Sequence, residues 1–206
     1  MSVALPLVDA RRALLEQLFD HAPMFPPASM SLPDAIAEDE RARASRDAWL
    51  LGRFVVPEGT RVEGRELAVV VGGSERQGEH VYVEGVSKIR CGGAAIPSVD
   101  EVAAFVRRCR EDGVVFKATA GLHHAYPTAA GEHGFLNLVA AAVFGNEEEA
   151  LRAPHGSFVL DAASFRWNER AAAPDELARV RATLLHSIGS CSFFEPVGAL
   201  HELGLL

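Results

Sequence analysis

The chain uses arginine almost wherever it needs a positive charge. Of its 20 basic side chains, only Lys88 and Lys117 are lysines. A high-GC genome accounts for the scarcity of lysine but not for where the two stand. A buried lysine can give up its proton, whereas arginine effectively cannot, so lysine is retained where an amine is required. Each lysine has a polar neighbour two residues on, Arg90 and Thr119. In a strand, that spacing puts both members of a pair on one face. If the two strands are neighbours, three cations and a hydroxyl converge, and their burial without counter-charge is prohibitive. Either Glu84 and Glu195 neutralise them or an anionic ligand does, which favours a carboxylate or phosphate compound. One ammonium near another also lowers the neighbour's pKa, and a neutral amine can attack a carbonyl to form a Schiff base. Lys117 is the expected nucleophile and Lys88 its electrostatic neighbour. Simple anion binding and a purely structural role are the competing readings.

Histidines form a second group. His123 and His124 follow the Lys117 segment and His133 opens the next helix. Imidazoles there can move protons or, with Glu132 or Cys191, hold zinc. The spacing matches no standard zinc pattern, so His123 and His124 are expected to act beside the lysines without a metal or other cofactor. Adjacent histidines in extended chain point in opposite directions, so one of the two faces the site. His133 and Asn137 share a helical face and are candidates to orient a ligand. The third piece is Gly189-Ser190-Cys191-Ser192 with Glu195 after it. Ser190, Ser192 and Glu195 are expected to bind substrate, because hydroxyls and free backbone N–H groups cradle anions. Cys191 reads as a small buried residue, or as a nucleophile if a nearby cation lowers its pKa.

The elements that must carry these groups follow from periodicity. Residues 8–21 read as an amphipathic helix on Leu14, Leu15 and Leu18. After a Pro-rich loop, Ser31 and Asp34 open a helix running to about Leu51. Phe54 to Val56 and Leu67 to Val71 read as strands. Residues 80–91 alternate and predict one long strand with room for a bend at Gly85. Ser98 and Glu101 form a capping box for a helix over 99–111, Gly113 closes it, and Val114 to Thr119 is the next strand. Strand, helix and strand in about 35 residues predict a parallel βαβ unit. Helices are expected over 133–144 and 174–187, a hairpin or a strand with a turn over 158–167, and an extended piece over 190–194 before a last helical turn. Ligands in such folds bind at the carboxyl ends of the strands. The whole chain, residues 1–206, is expected to be a single α/β domain, with residues 1–52 as an N-terminal helical segment packing on it.

Composition narrows the classes. The formal net charge of −8 argues against a duplex nucleic-acid binder. Three cysteines without a CxxC pair fit a reducing compartment. Neither a signal peptide nor an apolar run long enough to span a bilayer is legible. A cytoplasmic protein with a small anionic partner, and no nucleic-acid or membrane partner, is the expectation.

The segments Lys88-Ile-Arg-Cys-Gly-Gly93, Phe116-Lys-Ala-Thr-Ala-Gly-Leu-His-His124, His133-Gly-Phe-Leu-Asn137 and Gly189-Ser-Cys-Ser-Phe193 resemble an uncharacterised bacterial β/α-barrel-like family with these motifs in this order. Phe25-Pro-Pro27 and Ala48-Trp-Leu-Leu-Gly-Arg53 are similar too. The resemblance implies an α/β fold built as an incomplete or remodelled β/α barrel, a mostly parallel sheet with flanking helices. Members are longer between about Pro57 and Lys88. A complete eight-strand barrel usually needs about 250 residues, and the exposed edge of a shortened one predicts a homodimer. The strand-borne lysines are similar, by analogy, to those of class I aldolases such as deoxyribose-phosphate aldolase. The expected activity is that of a lyase or isomerase on a small anionic carbonyl compound at a lysine-containing site at the C-terminal strand ends. The alternatives are a non-catalytic binding or scaffold protein derived from a barrel and a histidine-based metal-dependent hydrolase.

Overall fold

The computed structural model describes residues 9–76, 79–82 and 87–206. Its centre is a seven-stranded sheet in the order β4-β3-β2-β1-β10-β6-β5, built from β1 (Phe19–His21), β2 (Leu51–Pro57), β3 (Leu67–Arg76), β4 (Glu79–Tyr82), β5 (Ser87–Arg90), β6 (Phe116–Thr119) and β10 (Leu185–Ser190). Every pairing from β3 to β5 along that order is parallel, and only β4 runs against its neighbour. A small antiparallel meander stands apart, formed by β7 (Phe158–Leu160), β8 (Phe165–Trp167) and β9 (Arg170–Ala172).

Covalent reach explains why the large sheet curls. The edge strands β4 and β5 are five residues apart at Tyr82 and Ser87, a span of at most about 18 Å. Six flat inter-strand steps would separate them by about 29 Å. The sheet therefore bends into half a barrel, with β4 and β5 in contact. Residues 80–91 are thus two strands on opposite edges rather than the expected single one. Glu84 and the bend at Gly85 lie outside the described residues.

Helices cover the convex side. These are α1 (Ala10–Leu15), α2 (Leu32–Arg43), α3 (Val99–Asp112), α4 (Phe135–Phe144), α5 (Glu147–Arg152), α6 (Pro174–Thr183) and α7 (Phe194–Glu202). The capping box at Ser98 and Glu101 starts α3 as expected. Strand residues of one parity, Phe19, Ala118, Phe116 and Ile188, are fully buried in the main core. Phe116 meets Phe105 of α3 edge-on at 5.4 Å, and Phe19 meets Phe135 of α4 at 5.3 Å. Such pairs add about 1 kcal/mol each beyond area burial. Among the described residues, no helix is long and apolar enough to cross a membrane.

Three expectations fail locally. The helix expected over 8–21 stops at Leu15, and Phe19–His21 is instead β1, inserted between β2 and β10. The helix expected to reach Leu51 ends at Arg43, with a 3-10 turn at Ala48–Leu50 before β2. The helix expected over 174–187 ends at Thr183, and the extended segment is Leu185–Ser190, five residues earlier than expected. In the first and third cases a run of helically spaced leucines continues beyond the helix it belongs to.

Candidate functional site

The register of the parallel strands sets the geometry. Lys88 lies opposite Lys117, Arg90 opposite Thr119, Ser187 opposite Lys117 and Asp20 opposite Gly189. Residues paired across neighbouring strands share a face. This parity is opposite to that of Phe19, Ala118 and Ile188, so Lys88, Lys117, Ser187 and Asp20 line the concave side. Both amines therefore rise from adjacent strands on one face.

Lys117 is 1% exposed and its Nζ lies 2.8 Å from Oδ2 of Asp20, itself 3% exposed. Asp20 is tightly held. Its Oδ2 also accepts from the Ser187 hydroxyl at 2.7 Å, and its Oδ1 accepts from the Arg53 backbone N–H at 2.8 Å. Burial lowers the Lys117 pKa, opposed by the Asp20 charge and hydrogen bond. Arg53 pairs with Glu66 at 2.9 Å on the same side. A cleft of about 130 Å³ lined by Asp20, Gly52, Arg53, Glu66 and His186 reaches this pair. It opens at the amino ends of the strands. Lys88 and Arg90 are half-buried, and the Lys88 Nζ itself is shielded from solvent. Thr119 donates its hydroxyl to the Ile89 carbonyl at 3.4 Å.

The wall beyond Arg53 turns apolar. Val55, Ala68 and Val70 form a separate cluster on the same concave parity, closed by Ala22 and Phe25. Phe25, from the Phe25-Pro26-Pro27 loop after β1, thus packs on the concave face of β2 and β3.

A second group stands at the carboxyl ends of β6 and β10. His123 Nδ1 lies 2.8 Å from Glu195 Oε2, and its Nε2 lies 3.8 Å from Cys191 Sγ. Ser190 Oγ is 3.5 Å from the same Nδ1 and donates to the Ser192 carbonyl at 2.6 Å, while the Ser192 N–H returns to it at 3.3 Å. Two glycines fix the loop that carries His123. A Cβ on Gly92 would fall 2.5 Å from the Gly121 Cα, and one on Gly121 would fall 2.8 Å from the Cys91 carbonyl oxygen. The chains after β5 and β6 therefore touch backbone to backbone. Ala120 takes φ +60° beside Gly121 at φ +68°, a left-handed conformation that costs a residue with a Cβ about 1–2 kcal/mol.

The other candidates lie apart from the lysines. His124 faces outward on Glu132 at 3.4 Å. His133 is buried and donates through Nε2 to the Pro97 carbonyl at 2.8 Å, tying α4 to the loop before α3. Asn137 spends its amide on the Ala150 and Ala153 carbonyls at 2.8 and 2.9 Å, closing the end of α5 on the helical layer. His123, His124 and His133 thus have three different partners. Among the described residues, no three His, Cys, Asp or Glu side chains are placed to hold a metal ion.

Asp20, which pairs with Lys117, and Ser187, which donates to Asp20, escape a sequence reading because both fall in segments whose leucine spacing reads as helix. His21 and Asp39 are also unheralded. Buried His21 lies 3.3 Å from Asp39, which accepts from Arg43 and Arg65 at 2.7 Å each on the convex side. Comparison with protein-family models, with curated proteins and with solved structures found no match to this chain.

Proposed function

We propose that the concave face is a lysine-centred site for a small anionic carbonyl compound, and that the protein acts on it as a lyase or isomerase through a Schiff base at Lys117. The sheet is read, on the same terms, as a shortened β/α barrel. The observation that carries the reading is the buried Lys117 Nζ, 2.8 Å from an anchored Asp20, with Lys88 in register on the next strand.

Each part has a chemical task. Burial favours the neutral amine at Lys117, and Asp20 is positioned to take its proton. The amine nitrogen then bonds to the carbonyl carbon, and the carbonyl oxygen takes up a proton. Loss of that oxygen as water leaves an iminium. Its positive nitrogen draws electrons from the neighbouring C–C or C–H bond, which is the step shared by lyases and isomerases of this type. Lys88 and Arg90 supply the charge that holds a carboxylate or phosphate. The competing reading is a structural ion pair, favoured by the near-complete burial of Lys117.

Borohydride trapping separates the two. With a panel of small aldehydes and ketones bearing a carboxylate or phosphate, the reading expects a reduced adduct on the Lys117 peptide, lost in Lys117→Met and slowed at least tenfold in Asp20→Asn. No Lys117 adduct across the panel, in protein shown to be folded, overturns it.

A further inference from the structure

The cluster at the carboxyl ends of β6 and β10 has an internal order that the lysine chemistry does not use. Three separate elements build it: the loop after β6 brings His123, the residue after β10 is Cys191, and the first turn of α7 brings Glu195. Glu195 accepts from Nδ1 of His123 at 2.8 Å. That bond keeps the imidazole proton on Nδ1 and leaves the Nε2 lone pair facing Cys191 Sγ at 3.8 Å. The backbone of Ala28 and of Cys191 itself favours the thiolate, in opposition to burial. Ala28 comes from the Phe25-Pro26-Pro27 loop, so a fourth segment closes on the thiol. Ser190 is not the nucleophile of this group, because its hydroxyl is spent on the Ser192 carbonyl. Nucleophile, base and orienting carboxylate stand in the relation that activates a thiol or hydroxyl for attack. Their place at the carboxyl ends is where ligands meet parallel α/β sheets, and the strained Ala120 lies three residues before the base.

We propose that Cys191, His123 and Glu195 form a thiol nucleophile centre that transfers the acyl group of a small ester or thioester to water. Burial raises the Cys191 pKa, with Glu195 and Glu38 adding to the effect, so the resting group is the thiol and deprotonation accompanies attack. His123 Nε2 takes the thiol proton as sulfur bonds to the acyl carbon. The bond to the leaving alcohol or thiol breaks, and His123 returns the proton to it. Water then gives a proton to His123 and attacks the acyl carbon. The S–C bond breaks, the acid leaves, and the proton returns to sulfur. Glu195 acts through His123 and is a positioning residue.

The chain carries its own controls, because Cys91 and Cys109 are buried as well, Cys109 being only slightly more shielded than Cys191, at 5% against 9% exposure. Exposure alone therefore predicts only a small labelling advantage for Cys191. With iodoacetamide on the native protein, followed by peptide mass spectrometry, Cys191 is expected to alkylate at least tenfold faster than Cys109. His123→Ala should remove most of that advantage. Glu195→Gln at the half-exposed rim should slow it three- to tenfold without moving the thermal midpoint, and Glu195→Asp should restore part of it. Hydrolysis of p-nitrophenyl acetate should fall at least tenfold in Cys191→Ser. The proposal is overturned if Cys191 labels no faster than Cys109, if its rate ignores both His123→Ala and Glu195→Gln, or if Cys191→Ser keeps the ester hydrolysis. Neither readout passes through Lys117, so the borohydride result and this one stand or fall separately.

Discussion

Two buried carboxylates, one on each side of the same sheet, are used in opposite ways. Asp39, on the convex side, accepts from two guanidinium groups and faces His21. Those hydrogen bonds outweigh its burial and bring its pKa down to about 2. Asp20, on the concave side, shares one amine with a hydroxyl and a backbone N–H. There burial outweighs attraction, and the amine's pKa falls. Surplus cations around an acid make a clamp. An amine facing an acid deep in the molecule, where burial prevails, gives up its proton more readily. The lesson is that an ion pair's role is set by whether hydrogen bonds or burial prevail, not by its distance.

The largest effect is expected from breaking the Asp20 pair. Asp20→Ala removes the carboxylate 2.8 Å from the buried Lys117 ammonium, and should cost about 3–5 kcal/mol in urea unfolding. Adding Lys117→Met should recover a good part of that loss, because the buried amine that lost its carboxylate is then gone as well. A double variant as unstable as the sum of the singles would mean the two groups are not coupled.

The clamp should show its strength in acid. Asp39 has an unfolded pKa near 3.8 and a folded one of about 2, so the folded state favours its ionised form. The stabilisation is fully present above pH 3.8 and is lost as pH falls through 2. The shift corresponds to about 2 kcal/mol. Denaturant curves at pH 5 and pH 2 should therefore lie further apart, by about that amount, for the wild type than for Asp39→Asn.

The smallest effect has the opposite sign. The folded Lys117 pKa is below its ordinary 10.5, so the folded state disfavours the charged amine. That penalty is complete below the folded pKa and is relieved as pH rises toward 10.5. Wild type should thus gain stability on Lys117→Met over that alkaline range. A loss instead would show that Asp20 attraction dominates burial, and would turn the concave pair into a second clamp.

Much of this arrangement is legible in the residues, and the remainder has a physical reason to be hidden. The capping box at Ser98, the helix to Asp112 and the strand at Phe116 are strong local signals that agree with one another, and the pairing of Lys88 with Lys117 follows from them. Strand β1 is hidden because three residues cannot show a period of two, and Leu18 continues the spacing of Leu14 and Leu15. Strand β10 is hidden because Leu184 and Leu185 extend the apolar stripe of α6 across Thr183. Those two strands carry Asp20 and Ser187. The amine is therefore visible from the chain, while its partners depend on tertiary pairing that local pattern does not encode. The loop placement of His123 was legible too, but the reach of Glu195 back from α7 was not.

The contact between Gly92 and Gly121 ties these regions mechanically. With no side chain between them, the turn leaving the Lys88 strand and the turn leading to His123 have no slack to absorb a displacement. A molecule that pushed on the first turn would be felt at the imidazole as a rigid shift, transmitted across a single atomic layer. A methyl group at either glycine would pry the two turns apart and detune both ends of the sheet at once.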